Sequence, residues 1–325
     1  MKNIVIIGGG TGTFTLLSGL KNFPAHNSVI VSSADDGGST GRLRKELGVF
    51  PPGDLRQCLL GLSEGDNKLK EVYNYRFQKG ELKGHNAGNI ILAALEKITG
   101  DISSAIAAAS RLLKVRGAVI PVTLLPTKLQ ATLANGKKIV GEHNIDQPRR
   151  IKNKELRIKN LQLKPLAPAN PRAISALKAA NAIVFGPGDL HTSIIPNLLA
   201  NGIKEAIDAS EARKILVTGL MTRPGQTDGF TPLDFVNEVN KYLGKKKLDA
   251  VIVNTEKPGA KVLAAYKKQG AEFVVPETAG LKRLEILKAD LISDQVFKKS
   301  KHDKVRRSLL RHNSNKLAKL IYENI

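Results

Sequence analysis

The chain has 325 residues, 42% apolar and 25% charged, an ordinary globular composition that excludes intrinsic disorder. No apolar run approaches the ~20 residues needed to cross a bilayer, so no membrane partner is expected. The net charge of +22 points to an anionic partner, with half of the excess, +11, in the tail from Lys241 to Ile325.

In chain order, the opening run Met1 to Ile7 passes straight into Gly8-Gly9-Gly10. It is too short for a signal-peptide core, and it predicts a buried strand over 3–7 and a helix over 13–22. A second strand is expected over 28–32. A long insertion follows, with helices over 54–62, 67–77, 88–98 and 102–113. Beyond it, segments 129–134 and 137–143 flank Asn135-Gly136, a dipeptide that tolerates the positive φ of a type I′ hairpin. With 118–123 and 156–163 they predict a small antiparallel unit. The polar, basic stretch 146–159 is expected to form an exposed rim. Strands over 182–185, 214–218, 249–253 and 272–275 then alternate with helices over 192–210, 231–243 and 258–269. Such alternation predicts an α/β protein with a mostly parallel, doubly wound sheet carrying a helical and a small antiparallel β insertion. The expected divisions are 1–115, 116–165 and 166–325, the last with a basic helical tail.

Cys58 stands alone, which excludes an intramolecular disulfide and fits a reducing, cytoplasmic setting. It falls in an apolar helical pattern and reads as core. The six histidines are scattered, with no metal-cage spacing. Nucleic acid is not expected as a partner: Trp is absent, aromatics are 4%, and no basic-aromatic interleaving marks a stacking platform.

The chemistry lies in loops where strands run into helices. Gly9, Gly10, Thr11 and Gly12 follow the first strand, and there glycine lets a phosphate approach backbone N–H groups at a helix start. No Gly-Lys-Ser/Thr follows, so this is not a P-loop. Thr13 or Thr15 stands where a dinucleotide fingerprint has its third glycine. After the second strand come Asp35 and Asp36. One of them caps a helix while the other meets a ribose, a second substrate or Mg²⁺, with Asp36 the candidate metal ligand. The Gly-Gly-Ser-Thr-Gly run behind them, including Ser39, could form an anion nest beside Arg42 or Arg44. Asp54 begins another helix, and capping alone could explain it. His85, Asn86 and Asn89 cluster at a further helix start. In the second half Gly186, Gly188, Asp189, Thr192 and Ser193 repeat the glycine-loop logic, and Thr222 sits in the loop after the next strand. These groups suit a nucleotide-like phosphate ligand better than any nucleophile.

Seven segments in order, GGGTGTFTLLSGLK at 8–21, ADDGGSTGRLRKELG at 34–48, PPGDLRQCLLGLS at 51–63, GHNAGNIILAAL at 84–95, RGAVIPVT at 116–123, FGPGDLHTSIIPNLLANGIKEAI at 185–207 and MTRPGQTDGF at 221–230, carry a resemblance. The chain resembles the CofD-like family, which comprises 2-phospho-L-lactate transferases and the bacterial gluconeogenesis factors (YvcK type). The resemblance implies a Rossmann-like core. The GRLR, PGDLR and RGAVIPVT segments look closer to the gluconeogenesis-factor branch. That branch implies a regulatory protein of carbon metabolism and cell shape that binds UDP-sugars such as UDP-N-acetylglucosamine. Tyr266 and Arg311 resemble the branch's contacts to the nucleotide sugar. The transferase branch would instead imply a Mg²⁺-dependent enzyme joining a phospholactyl group from a guanosine diphosphate donor to a deazaflavin. Departures from the family pattern are Gln57, His191, Arg223 and Gln226. A homo-oligomer is compatible with either branch.

Overall fold

The computed structural model describes residues 1–147, 157–294 and 308–325. The first half contains β1 (Lys2–Ile7), α1 (Gly10–Leu20), β2 (Ala25–Val31), α2 (Gly38–Leu47), α3 (Pro52–Leu62), α4 (Asn67–Asn74), α5 (Ala87–Thr99), α6 (Ile102–Leu112) and β3 (Ala118–Pro121). The insertion holds β4 (Lys128–Leu133), β5 (Lys138–Val140), the short α7 (Glu142–Asp146) and β6 (Ile158–Lys164). The second half begins with α8 (Pro171–Lys178) and β7 (Ala182–Phe185), then a π turn over Leu190–Ile194 and a 3₁₀ turn over Ile195–Leu198. It continues through α9 (Ile203–Asp208), β8 (Arg213–Val217), α10 (Pro232–Tyr242), β9 (Ala250–Asn254), α11 (Ala260–Lys267), β10 (Glu285–Ala289) and α12 (Ser314–Glu323).

Seven parallel strands form one Rossmann-like sheet in the order β10-β9-β8-β7-β1-β2-β3. The chain winds outward from β1 to β3, then returns to β7 on the other side of β1. The switch point therefore lies between β1 and β7, where such folds leave a crevice at the carboxyl ends of the strands.

The two-residue period of β1 supplies both faces. Ile4 and Ile6 pack under Leu16 of α1, Leu59 of α3, Ile106 of α6 and Leu317 of α12. Val5 and Ile7 face Leu177 of α8, Ile203 of α9 and Phe235 of α10. Leu129 and Leu161 of the three-stranded antiparallel sheet, ordered β5-β4-β6, join that second core. Each such buried aliphatic contributes about 1.5–3 kcal/mol, which fixes the sheet as a rigid platform.

Several local expectations are corrected. Residues 118–121 do not join the antiparallel unit; they pair in parallel with β2 as the sheet's edge strand. Segment 272–275 is not a sheet strand. Phe273 makes only an isolated bridge to Met221, Pro276 follows, and the last strand is β10 instead. The helix expected over 192–210 is broken into turns and α9, with Pro196 and Gly202 at the breaks. The hairpin has positive φ at Gly136 (83°) but not at Asn135, so it is not type I′. Its Leu133 N–H bonds Lys137 O at 2.8 Å, a three-residue loop with glycine in the left-handed position. Of the expected rim, residues 148–156 lie outside the described residues, and Asp146 is part-buried rather than exposed.

Candidate functional site

A cleft of about 1230 Å³ opens over the carboxyl ends of the strands at the switch point. Its walls bring together Gly9, Gly10, Thr11 and Gly12 after β1, and Asp35 and Ser39 after β2. Arg42 of α2, Asp54 of α3 and Asn89 of α5 add to them. Gly188, Asp189, Thr192 and Ser193 after β7 and Thr222 after β8 complete the central wall. Tyr266 and Arg311 close the far end.

Three helix starts at this cleft lack a side-chain cap, as do those of α9 and α11 elsewhere. α1, α2 and α3 begin without any side-chain cap. By contrast Asp66, Asn86, Asp101, Asn170, Thr231 and Asn313 cap α4, α5, α6, α8, α10 and α12. An uncapped helix start leaves backbone N–H groups and a partial positive charge facing the cavity. Close approach needs glycine at two points. A Cβ on Gly12 would lie 2.5 Å from Pro187 O, and one on Gly9 would lie 2.1 Å from Asp54 Oδ2. The first glycine loop is thus fitted directly against the β7 loop and α3.

Carboxylates occupy the middle of the cleft. Asp35 Oδ1 accepts the Gly37 N–H at 2.9 Å, yet burial holds its pKa above the ordinary carboxylate range. Glu142, which α7 of the insertion adds to the wall, has Oε2 buried without a hydrogen-bond partner among the described residues. Burial, with the charges of Asp35, Asp54, Asp146 and Asp36, pushes its carboxyl well up.

Three of the expected site residues stand behind the wall and hold it. Asn86 caps α5, accepting the Asn89 N–H at 3.3 Å. His85, 6% exposed, places Nδ1 3.2 Å from the Ser39 hydroxyl, which also accepts the Asn86 N–H at 3.3 Å. Burial and then the Arg42 charge lower the His85 pKa, so the neutral ring faces Ser39. Gly186 takes φ 83° at the turn out of β7. Asp36 is also outside the cleft wall, and its Oδ1 accepts the His143 N–H at 2.7 Å, tying α7 to the loop after β2. Its expected role as a metal ligand has no support in this placement. Among the described residues no three His, Cys, Asp or Glu side chains are arranged to hold a metal ion.

At the far end, Leu310 donates its N–H to the Tyr266 hydroxyl at 3.0 Å. That bond holds Arg311, the next residue, at the same end of the cleft as Tyr266. The departures from the family pattern also find places. Gln57 lines the cleft. His191 is 1% exposed and lies 3.4 Å from Glu238, away from the cavity. Arg223 and Gln226 both bond Asp146 of α7, at 2.9 and 3.1 Å from Arg223 Nε and Gln226 Nε2. Arg223 also lies 3.6 Å from Asp189. Burial would lower its pKa, but the charges of Asp189 and Asp146 outweigh it and raise it. Cleft residues with no pointer in the sequence include Glu142, His143, Asp146 and Gln147, since no glycine loop or strand end announces a five-residue helix far along the chain, and Arg76, Lys83 and His312 are others.

The profile described as 2-phospho-L-lactate transferase CofD matches residues 4–296. The chain belongs to the CofD family. Within that CofD family it is similar to proteins named gluconeogenesis factor. A putative gluconeogenesis factor of Nostoc is 43% identical over 322 residues, covering 98% of this chain and 67% of that protein. One from Thermotoga maritima is 41% identical and covers 98% of both chains. The gluconeogenesis factor of Bacillus subtilis is 37% identical, covering 98% of this chain and 97% of its own. A crystal structure of a UPF0052 family member from Bacillus halodurans superposes with a TM-score of 0.90 at 38% identity, covering 99% of each chain. This CofD family member thus sits with the gluconeogenesis factors. No helix among its described residues is long and apolar enough to cross a membrane.

Proposed function

We propose that the chain is a gluconeogenesis-factor-type regulatory protein of the cytoplasm, linked to carbon metabolism and cell shape, that binds a nucleotide sugar of the UDP-N-acetylglucosamine type. The observation that carries this reading is the meeting of the uncapped α1 start and the Gly188 loop across the β1/β7 switch point, in one cleft with Tyr266 and Arg311. A diphosphate would lie against the loop of Gly9, Gly10 and Gly12 and against Gly188, where the helix start favours an anion. Asp35 would meet the ribose or a second ligand. Arg311 would pair with a phosphate oxygen and Tyr266 with the sugar. Calorimetry with UDP-N-acetylglucosamine, UDP and GDP tests this. Saturable binding of the uridine ligands, lost in Arg311→Ala, is expected; no heat with any of the three defeats the proposal.

One observation favours a second reading, transfer of a phosphoryl-linked group from a guanosine diphosphate donor to a deazaflavin: the carboxylates Asp35, Asp54 and Glu142 share this cleft. Carboxylate oxygens suit Mg²⁺, but among the described residues no three of them are arranged to hold a cation. A mass-spectrometric assay with guanosine donor, deazaflavin acceptor and Mg²⁺ decides it. Product formation supports transfer, and its absence removes it.

A further inference from the structure

A buried carboxyl oxygen with no hydrogen-bond partner is unfavourable, and the insertion brings one to the cleft. Glu142, the first residue of α7, lines the cavity. Its Oε2 is shut off from solvent and has no partner among the described residues. The cost of such an atom is larger still when the group is charged.

The helix that carries it is tied down on two sides. The His143 N–H bonds Asp36 Oδ1 at 2.7 Å, and Arg223 Nε bonds Asp146 Oδ1 at 2.9 Å. Ile145 anchors the underside in the core that Leu129 and Leu161 share. Turning Glu142 out to water by moving α7 would break these contacts.

Around the carboxyl stand further carboxylates. Burial first, then the charges of Asp35, Asp54, Asp146 and Asp36, push the Glu142 carboxyl well above the ordinary range. Burial raises Asp35 as well. Arg223 answers Asp146 and Asp189, while Arg44 is held on the carbonyls of Asp35 and Thr127. Of the elements packed against α7, β4 and β5 carry Lys128 and Lys138, both exposed, and the π turn carries His191, which faces Glu238. His143 is exposed, with Nε2 3.0 Å from Gln147 Nε2. A neutral carboxylic acid fits this setting, and its O–H then requires an acceptor. An anionic phosphate oxygen is a strong one, forming a short O–H···O⁻ bond. Asp54, whose charge acts on Glu142, also abuts Gly9, so the carboxyl lies toward the first glycine loop.

We infer that Glu142 is a further ligand-contact residue, donating its carboxyl O–H to a phosphate oxygen of the nucleotide sugar. The contact rests on the nucleotide-sugar reading and sets a rule of selection for it. A cleft walled by Asp35, Asp54 and Glu142 accepts a diphosphate because one of the three is neutral. Once its proton leaves, the same side chain changes from donor to repelling anion, and affinity falls as pH rises.

Calorimetry with UDP-N-acetylglucosamine from pH 6 to 8.5 at constant ionic strength tests this. The diphosphate diester keeps its charge across that range, so a trend belongs to the protein. The parent chain is expected to bind about tenfold more weakly at pH 8.5 than at pH 6, the worth of one charge-assisted contact. Glu142→Gln keeps a neutral N–H donor but has no proton to lose. It is expected to bind more weakly than the parent at pH 6 and no more weakly at pH 8.5 than at pH 6. A second readout needs no ligand. The folded chain retains a proton that the unfolded chain releases above about pH 4.5, so stability drops as pH rises. Glu142→Gln removes that loss and is expected to melt higher than the parent at pH 8.5. Three results overturn the inference: a parent affinity independent of pH, a Glu142→Gln variant with the parent's slope, or one that melts below the parent at pH 8.5. No binding of the nucleotide sugar at any pH defeats the nucleotide-sugar reading and this contact with it. Binding with a flat pH profile removes the contact alone.

Discussion

Arg223 Nε donates to Asp146 Oδ1 at 2.9 Å, joining the loop after β8 to the short helix of the insertion. This is the contact that turns the small antiparallel sheet from an appendage into a cleft wall, because Glu142 and His143 ride on the same helix. Both partners are largely shielded, with side chains 13% and 26% exposed, so the pair is worth more than a surface ion pair. Asp146→Asn and Arg223→Gln are each expected to lower stability by about 1–3 kcal/mol, since each removes a charge-assisted contact from a shielded partner. Urea unfolding in a double-mutant cycle checks this. The double variant should lose clearly less than the two single losses combined, and strict additivity would show that the contact is inert.

The glycine loop should be intolerant of a single methyl group, to a degree set by what that methyl meets. In Gly12→Ala it meets the Pro187 carbonyl at 2.5 Å, a backbone atom that cannot step aside. In Gly9→Ala it meets the end of the Asp54 side chain at 2.1 Å, which can rotate. Gly12→Ala is therefore expected to cost about 1–3 kcal/mol and Gly9→Ala less. Melting curves of the two variants side by side give the answer. A Gly9→Ala loss larger than that of Gly12→Ala contradicts the close approach described between the loops.

His312 is buried beside the far end of the cleft, and burial pushes its pKa down to about 4, against an ordinary value of 6.5. Because the folded value is depressed, unfolding takes up a proton below pH 6.5. The stability held by the neutral ring is complete above that pH and drains away as pH falls toward 4. The loss amounts to about 3 kcal/mol at most. Urea midpoints measured from pH 7 to 4 should fall less steeply in His312→Gln than in the parent chain. Identical slopes would show that the ring does not titrate in this window.

Cys58 lies fully buried on α3, and burial, assisted by the Asp54 charge, holds its thiol pKa well above normal. It should resist a chromogenic disulfide reagent at pH 8 in the native protein and react fully after addition of denaturant. Rapid native labelling would contradict this placement.

What the sequence disclosed follows from which signals are local. Glycine after a β-branched run and before a helix is a local pattern, so the loops at Gly9 and Gly186 and the strands over 182–185 and 214–218 were legible. The true edge strand β10 was not, because Glu285 and Lys288 are exposed and Ile286, Leu287 and Ala289 only half-buried, while Glu272 to Val275 imitates a strand and then meets Pro276. Ala118 to Pro121 reads equally well as parallel or antiparallel, and only its register against Ser28 to Val31 decides. The partnership of Arg223 with Asp146 spans 77 positions, and the placement of Glu142 among Asp35 and Asp54 depends on the whole sheet. Asp36 shows what adjacency leaves open: the sequence offered one of the two aspartates as a helix cap, but only the fold brings Asp36 Oδ1 to the His143 N–H at the start of the distant α7.

The central claim is that the switch-point loops hold a diphosphate. A crystal structure of the protein soaked in UDP-N-acetylglucosamine tests it most directly. Diphosphate oxygens are expected about 2.7–3.2 Å from backbone N–H groups of Gly10 to Gly12 or of Gly188, with the sugar toward Tyr266 and Arg311. A nucleotide bound elsewhere, leaving those amides without contact, would contradict it.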